Sequence, residues 1–306
     1  MTTVNDSVQL GGDLDAVGEL LRAEESYYSL NDEELAFLKS QTGIQDEDAL
    51  KAHIIKVRAL AFAVFPYVCI RRFMFTKLKI SCMPKYDRLL KLGRERTGAI
   101  FLDIGCCFGN DVRKAVADGF PIENVIASDL EQEFWNLGHT LFNSTQDTFP
   151  VPFVHGDALD QAFLPVSPPL RFPAETPAPA LSSLTSLAPL HGRVSAIHAS
   201  ALFHLFLESP QAQLARALGG LLSPVPGSII FGAHAGMPTP CALEESDSAR
   251  KKHYFCHSPQ SWTGLWEEVF GKGAVKVEAQ LDPANIVPTA DNRPGRYTLV
   301  WSVTRV

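Results

Sequence analysis

Along the first hundred positions, apolar residues recur with helical spacing. Asn31 and Asp32 precede EELAFLKS, a capping residue followed by an acidic first turn. In EDALKAHIIKVRALAFAVF, Leu50, Ile54, Val57 and Ala61 recur every three or four residues, which predicts a helix that Pro66 ends. A further helical stretch is expected over Lys85–Leu92, with Leu89, Leu90 and Leu92 on or near one face.

At Ala99 the pattern changes. The runs AIFLDIG (99–105), VIASDL (125–130), VPFVHGD (151–157), VSAIHAS (194–200) and SIIFGAH (228–234) are short, apolar and rich in branched residues. Helical stretches separate several of them, as expected of parallel strands buried on both faces. VKVEAQL (275–281) and RYTLVWSVTRV (296–306) have no clear helix between them and predict a terminal antiparallel hairpin. The expected fold class is α/β: a seven-stranded, mostly parallel open sheet over residues 99–306, with a helical cap over 1–98. Residues 165–189 carry seven of the chain's 21 prolines and are expected to form a surface insertion without helix or central strand.

Composition narrows the function. The 306 residues are 46% hydrophobic and 20% charged, with 27 basic and 34 acidic side chains and a net charge of −7. That excludes disorder for the bulk of the chain, and the absence of a basic arm argues against nucleic acid as a partner. The most apolar stretch, Ala59–Ile70, is 12 residues long and contains Pro66; a membrane-spanning helix needs about 20. The start, MTTVNDSVQLGGDLD, lacks the features of an export signal, and the six cysteines form no CxxC. Reduced thiols and a cytoplasmic location are expected. A metal is not, because no cluster of carboxylates or histidines stands out.

The strongest chemical signal is FLDIGCCFGND, residues 101–111. A strand ending in Asp103 leads into a turn in which Gly105, Cys107 and Gly109 fill a GxGxG frame, and a helix is predicted over Asn110–Ala117. Glycines allow close backbone approach to a ligand, and amides at a helix start favour an anionic group. The Asp103 carboxylate suits a cationic group such as an α-amino. A P-loop is excluded, since no GK[ST] follows. Asp129 closes the second strand 24 residues after Gly105, near the spacing at which an acid meets a ribose diol. Asp157 follows the third strand, where it can receive an adenine amino group. Three acids at successive strand ends describe one crevice.

On these residues the chain resembles the class I S-adenosylmethionine-dependent methyltransferases, with FLDIGCCFG, SDL and HGDAL as successive motifs. A narrower resemblance, spanning most of the chain, is to fungal natural-product methyltransferases, including those that esterify carboxyl groups of terpenoid and meroterpenoid intermediates. It rests on LDIGCCFG followed by DVRK, on NLGHTLF (136–142), ALFHLF (201–206) and YVCIRRFMFTKLKI (67–80). The resemblance implies a Rossmann-like sheet and S-adenosyl-L-methionine as cofactor. Asp103 and Gly105 would hold its methionine end, and Asp129 with Leu130 would meet the ribose. Asp157 and Ala158 would border adenine, and His198 or Ala199 would lie beside the sulfonium. Cys106 and Cys107 would be small structural residues of the turn, closed by Gly109.

Methyl transfer from a sulfonium needs alignment and exclusion of water. A carboxylate acceptor needs positioning donors and no base, whereas a phenol needs a proton acceptor such as histidine. His204 and His198 are the candidates for either task. Arg71, Arg72 and Lys77, interleaved with Phe73 and Phe75, read as a lid that can pair with an acceptor carboxylate or as a solvated basic face. His253 and His257 flank Tyr254 and Phe255, and Trp262 and Trp266 share a helix face that is either core or substrate wall. The expected activity is O-methylation of a lipophilic small molecule, with carboxyl esterification ahead of phenolic oxygen, nitrogen or carbon. A non-methylating protein that binds the same cofactor is the alternative of another class. Exchange of the apolar amino-terminal helices would allow a homodimer.

Overall fold

The computed structural model describes residues 24–247, 250–282 and 297–306. The polar amino-terminal stretch on which the export-signal expectation rests lies outside the described residues. Helix α1 (Asp32–Thr42) begins with a reciprocal cap, in which Asn31 Oδ1 accepts from the Glu34 N–H and the Glu34 carboxylate accepts from the Asn31 N–H. Helix α2 (Glu47–Val64) is capped by Asp46 and stops before Pro66. Its buried stripe is Leu50, Ile54, Val57 and Ala61, the residues the spacing picks out. The short α3 (Val68–Arg71) follows, then two single-turn segments, then α4 (Tyr86–Glu95), which buries Tyr86, Leu89 and Leu92.

The seven expected strands form one sheet. In chain order its members are β1 (Ile100–Ile104), β2 (Val125–Asp129), β3 (Phe153–His155), β4 (Val194–His198) and β5 (Ile229–Gly236), completed by β8 (Val275–Asp282) and β9 (Tyr297–Arg305). Across the sheet the order is β3-β2-β1-β4-β5-β9-β8. The first five strands are mutually parallel and β9 runs antiparallel to both neighbours. Every residue of β1 is buried, because successive side chains enter opposite cores. Ile100, Leu102 and Ile104 join a core with Ile197, Ile230 and Trp262, while Phe101 joins Leu89, Val112 and Trp135 on the other face. The strand order reverses between β1 and β4, so their carboxyl ends open onto a crevice.

A second, two-stranded sheet, β6 (Cys241–Asp247) paired antiparallel with β7 (Arg250–Cys256), was not anticipated. Its strands carry charged residues where a buried strand would be apolar, so no apolar run marks them. The Pro-rich stretch 165–189 forms only isolated single turns at Leu181–Ser183 and, at its end, Ala188–Leu190. It lies against the sheet domain: Leu187 is fully buried, the Leu170 carbonyl accepts from Arg305, and Thr176 accepts from Arg193.

The helical cap shares a third core with the sheet domain. Ile54, Val57, Ile70, Phe73 and Phe75 pack with Phe108 of the glycine turn and with Phe134 and Leu141 of α6 (Gln132–Leu141). The motif NLGHTLF is explained here, because a Cβ on Gly138 would collide with the Phe108 carbonyl oxygen. Trp262 and Trp266 of α8 (Pro259–Phe270) are both fully buried, so the shared face is core. They pack edge-on, with centroids 5.8 Å apart, and meet Phe203, Trp301 and His234. His257 packs edge-on against Trp262, and burial lowers its pKa from the usual imidazole value to about 4.

Two outcomes follow. Gly138→Ala forces α6 off the turn and is expected to cost about 1–3 kcal/mol, read from the denaturant midpoint. His257 is neutral in the fold, and an unfolded histidine titrates near 6.5. Its stabilisation is therefore complete above about pH 6.5 and is lost as the pH falls toward the folded pKa of about 4. Replacing His257 by Gln should flatten the fall in stability between pH 6.5 and 4.5 by up to about 1.4 kcal/mol per pH unit, measured by urea titration of both proteins.

Candidate active site

Beyond β1 the chain turns through three residues with positive φ: Gly105 at 76°, Cys107 at 51° and Gly109 at 73°. Cys107 holds a left-handed conformation that costs a non-glycine residue about 1–2 kcal/mol. That explains why the general pattern has glycine there. The strained residue is anchored, since its N–H donates to Asp129 Oδ2 at 2.8 Å. The Gly105 and Cys106 amides donate to the Ser128 carbonyl and the Gly109 amide to the Cys106 carbonyl, so these turn amides face the protein. The helix that follows, α5 (Asn110–Ala117), grips the cap: Asn110 donates to the Phe75 carbonyl, and Asp111 accepts from the Ile80 N–H at 3.0 Å.

Asp129 is poised at the end of β2. Its second oxygen, Oδ1, accepts from the Glu131 N–H at 3.1 Å. Burial pushes its pKa up, against the backbone donors and His155 that favour the anion. With one amide on each oxygen the carboxylate is oriented and retains acceptor capacity, which fits a ribose diol. Tyr67 from the cap reaches the same place: burial raises its phenol pKa first, and the charge of Asp129 raises it further. Leu130 is 51% exposed beside it, and its carbonyl accepts from His155 Nε2 at 2.9 Å. Asp157 is exposed and accepts the Leu159 N–H at 2.8 Å, and Ala158 packs partly buried behind it. A carboxylate at the end of β2 and a second one just past β3, with an apolar side chain between, is an acceptor set that fits the ribose hydroxyls and the adenine amino group of S-adenosylmethionine.

Asp103 and His198 face each other across the β1–β4 pairing, both essentially sealed from solvent. Asp103 Oδ1 accepts from His198 Nδ1 at 2.8 Å, and His198 Nε2 meets Ser200 Oγ at 2.8 Å. The carboxylate expected to meet a cationic amino group thus meets an imidazole, and neither imidazole nitrogen is left open. Burial disfavours the imidazolium, but the Asp103 charge and hydrogen bond outweigh it and raise the His198 pKa. Burial raises Asp103 as well, against the pull of His198. Ala199, next along, is buried, and its N–H donates to the Phe231 carbonyl.

Burial first, then neighbouring carboxylates and thiols, keep both Cys106 and Cys107 thiols protonated well above their usual range. Such thiols are poor nucleophiles and poor metal ligands. The lid residues are engaged elsewhere: Lys77 donates to Glu34 at 2.9 Å and to the Ser29 carbonyl, and Arg72 lies over the Tyr27 ring. Lys79, two positions on, exerts a minor influence on both His198 and Cys107, opposing the imidazolium and favouring the thiolate, and larger effects outweigh it at each. The register of an irregular segment decides this, so no periodicity signals it. His204 lies in a single turn, Phe203–Leu205, near enough to His234 to help lower that buried imidazole's pKa after desolvation. His234 Nδ1 accepts from Trp301 Nε1 at 2.9 Å. A cleft of about 750 Å³ opens over β5, β9 and β8, and Met83, Lys85, Phe231 and Val300 are among its walls. Two of these touch the buried pair's neighbourhood: Met83 Sδ lies 3.9 Å from Ser200 Oγ, and the Phe231 ring packs on His198. No helix among the described residues is long and apolar enough to cross a membrane.

Residues 24–76 match the family described as meroterpenoid methyltransferase N-terminal domain. The chain is 34% identical to methyltransferase ausD of Penicillium brasilianum, over 85% of this chain and 84% of that one. It is 31% identical to the asnovolin E/chermesin D methyltransferase nvfJ of Aspergillus novofumigatus, over 90% of each. O-methyltransferase atr3 of Stereocaulon alpinum is 30% identical over 77% of this chain and 62% of its own length. A distant likeness among solved structures is the 1,6-didemethyltoxoflavin-N1-methyltransferase of Burkholderia thailandensis, with a TM-score of 0.47 and 14% identity over 86% of this chain and 92% of that one. With relatives above 30% identity along most of both chains, the protein belongs to this family of fungal natural-product methyltransferases and is an S-adenosylmethionine-dependent enzyme.

Proposed function

We propose that the enzyme methylates an oxygen of an apolar terpenoid-type acceptor, and that this oxygen belongs to a carboxylate. The observation that carries the choice is the state of His198, the imidazole at the end of β4: Asp103 holds one nitrogen and Ser200 the other. A phenol or alcohol would require an open base there, whereas a carboxylate is already anionic and requires only positioning donors. The relatives agree in class: the matched family model is named for meroterpenoid methyltransferases, nvfJ for asnovolin E and chermesin D, and atr3 for O-methylation. The cleft walled by Met83 and Phe231 has the volume of a small-molecule site.

In this reading Asp129, with Leu130 alongside, binds the ribose, and Asp157 and Ala158 border adenine. Gly105, Cys106, Cys107 and Gly109 shape the turn over the methionine end. Asp103, His198 and Ala199 form the floor below the sulfur, with His204 farther along the acceptor side. Bound there, S-adenosylmethionine supplies a methyl group on a positive sulfur, and its transfer to a carboxylate cancels one charge of each sign without releasing a proton. The chain's task is then to orient the acceptor and exclude water.

Incubation with methyl-labelled S-adenosylmethionine and a panel of terpenoid carboxylic acids and phenols tests this. Label should enter the acids as esters that mild alkali hydrolyses; label found only in alkali-stable ethers would rule out the carboxylate. Asp129→Ala should weaken S-adenosylhomocysteine binding, measured by calorimetry, by about 10- to 100-fold, the worth of hydrogen bonds to a charged group.

A further inference from the structure

Beyond occupying one nitrogen of His198, the hydroxyl of Ser200 is the end of a built chain of hydrogen bonds. We propose that Ser200 contacts the acceptor, its O–H donating to the acceptor carboxylate at the inner end of the Met83–Phe231 cleft, while Asp103 and His198 act through it as positioning residues. This rests on the carboxylate reading above.

The inventory of the hydroxyl decides the direction of its hydrogen. A serine oxygen has two acceptor sites and one hydrogen. The Ala233 N–H donates to one acceptor site at 3.1 Å. His198 Nε2 lies 2.8 Å away, and His198 Nδ1 donates its hydrogen to Asp103. A neutral imidazole of that tautomer takes the serine hydrogen on Nε2. An imidazolium donates from Nε2 instead and fills the second acceptor site. The O–H is then turned away from both partners, and the remaining neighbour is Met83 Sδ at 3.9 Å, a weak acceptor. An anionic oxygen in place of the thioether receives a shorter and stronger bond. Met83 is unbranched and adaptable, and it also lines the cleft, so a seated acceptor reaches the hydroxyl by moving a flexible side chain. The turn that follows is fixed: Ala201 has φ 52°, a left-handed conformation held by its N–H to the Ala233 carbonyl at 2.8 Å.

The charged groups around His198 set which of the two arrangements holds. Asp103 on β1 and Asp111 on α5 favour the imidazolium, Lys79 opposes it, and Asp129 acts on Asp103. The net direction is upward for His198. The imidazolium therefore persists below the raised pKa, and the outward hydroxyl is lost as pH rises through it.

The test compares wild type, Ser200→Ala and Ser200→Thr, using the panel acid that wild type methylates fastest. Ser200→Ala should raise KM for the acid by about 10- to 100-fold and abolish the alkaline rise in KM. Affinity for S-adenosylhomocysteine, by calorimetry, should be unchanged, and Ser200→Thr should restore both KM and the pH profile. If the wild type methylates acids while Ser200→Ala keeps its KM within about twofold and the same pH profile, Ser200 has no such role and the carboxylate reading stands. A parallel loss of homocysteine-product affinity would make the effect structural and also overturn the proposal. If the wild type methylates no acid, both readings fall together.

Discussion

A carboxylate and an imidazole buried side by side at the centre of the sheet set the terms for the rest of the site. Removing either ion from water costs several kcal/mol, and such a pair persists only when every remaining polar atom is satisfied. Adjacent parallel strands place Asp103 opposite His198, and the chain just beyond β4 supplies Ser200. Ala233 on the next strand completes the shell of that hydroxyl. Four strand-end positions on three neighbouring strands are thus tied into one polar line through an otherwise apolar floor.

The second constraint is the closeness of the layers. Gly138 lets α6 rest on the turn, and Phe108 of that turn enters the core of the cap. Asn110 and Asp111 then bind the cap backbone at Phe75 and Ile80. The turn after β1 is consequently held from two directions, which is how a strained Cys107 keeps its left-handed backbone. Cap and turn share their interior, so displacement of one disturbs the other.

Much of this was legible in the chain, for reasons that differ by element. Continuous apolar runs announce parallel strands because both faces are buried, and β1 to β5 carried that mark; β8 and β9 were legible instead as a terminal hairpin, with no helical stretch between them. Asn31 announced a helix start because the cap is a local interaction. The β6–β7 hairpin gave no such mark, since its sequence mixes charged residues among the apolar ones. The fate of Lys77 was illegible as well: it lies in one basic stretch with Arg71 and Arg72, and an irregular backbone turned it toward Glu34 and Ser29 of the cap. Ser200 stood inside a recognised strand end yet looked like filler, because its meaning depends on residues 97 positions earlier and 33 later in the chain.

The sequence by itself determined the α/β class, the turn at 105–109, the acids at the strand ends and the kinship with methyltransferases. These depend on periodicity and on contacts between near neighbours, which local composition encodes. Only the tertiary structure decided that Asp103 and His198 form a buried pair, that Trp262 and Trp266 are core, and that the Ser200 hydroxyl meets His198 and the Ala233 amide. Partners 95 residues apart meet solely because β1 and β4 are neighbours in the sheet, and no local pattern in the chain records that adjacency.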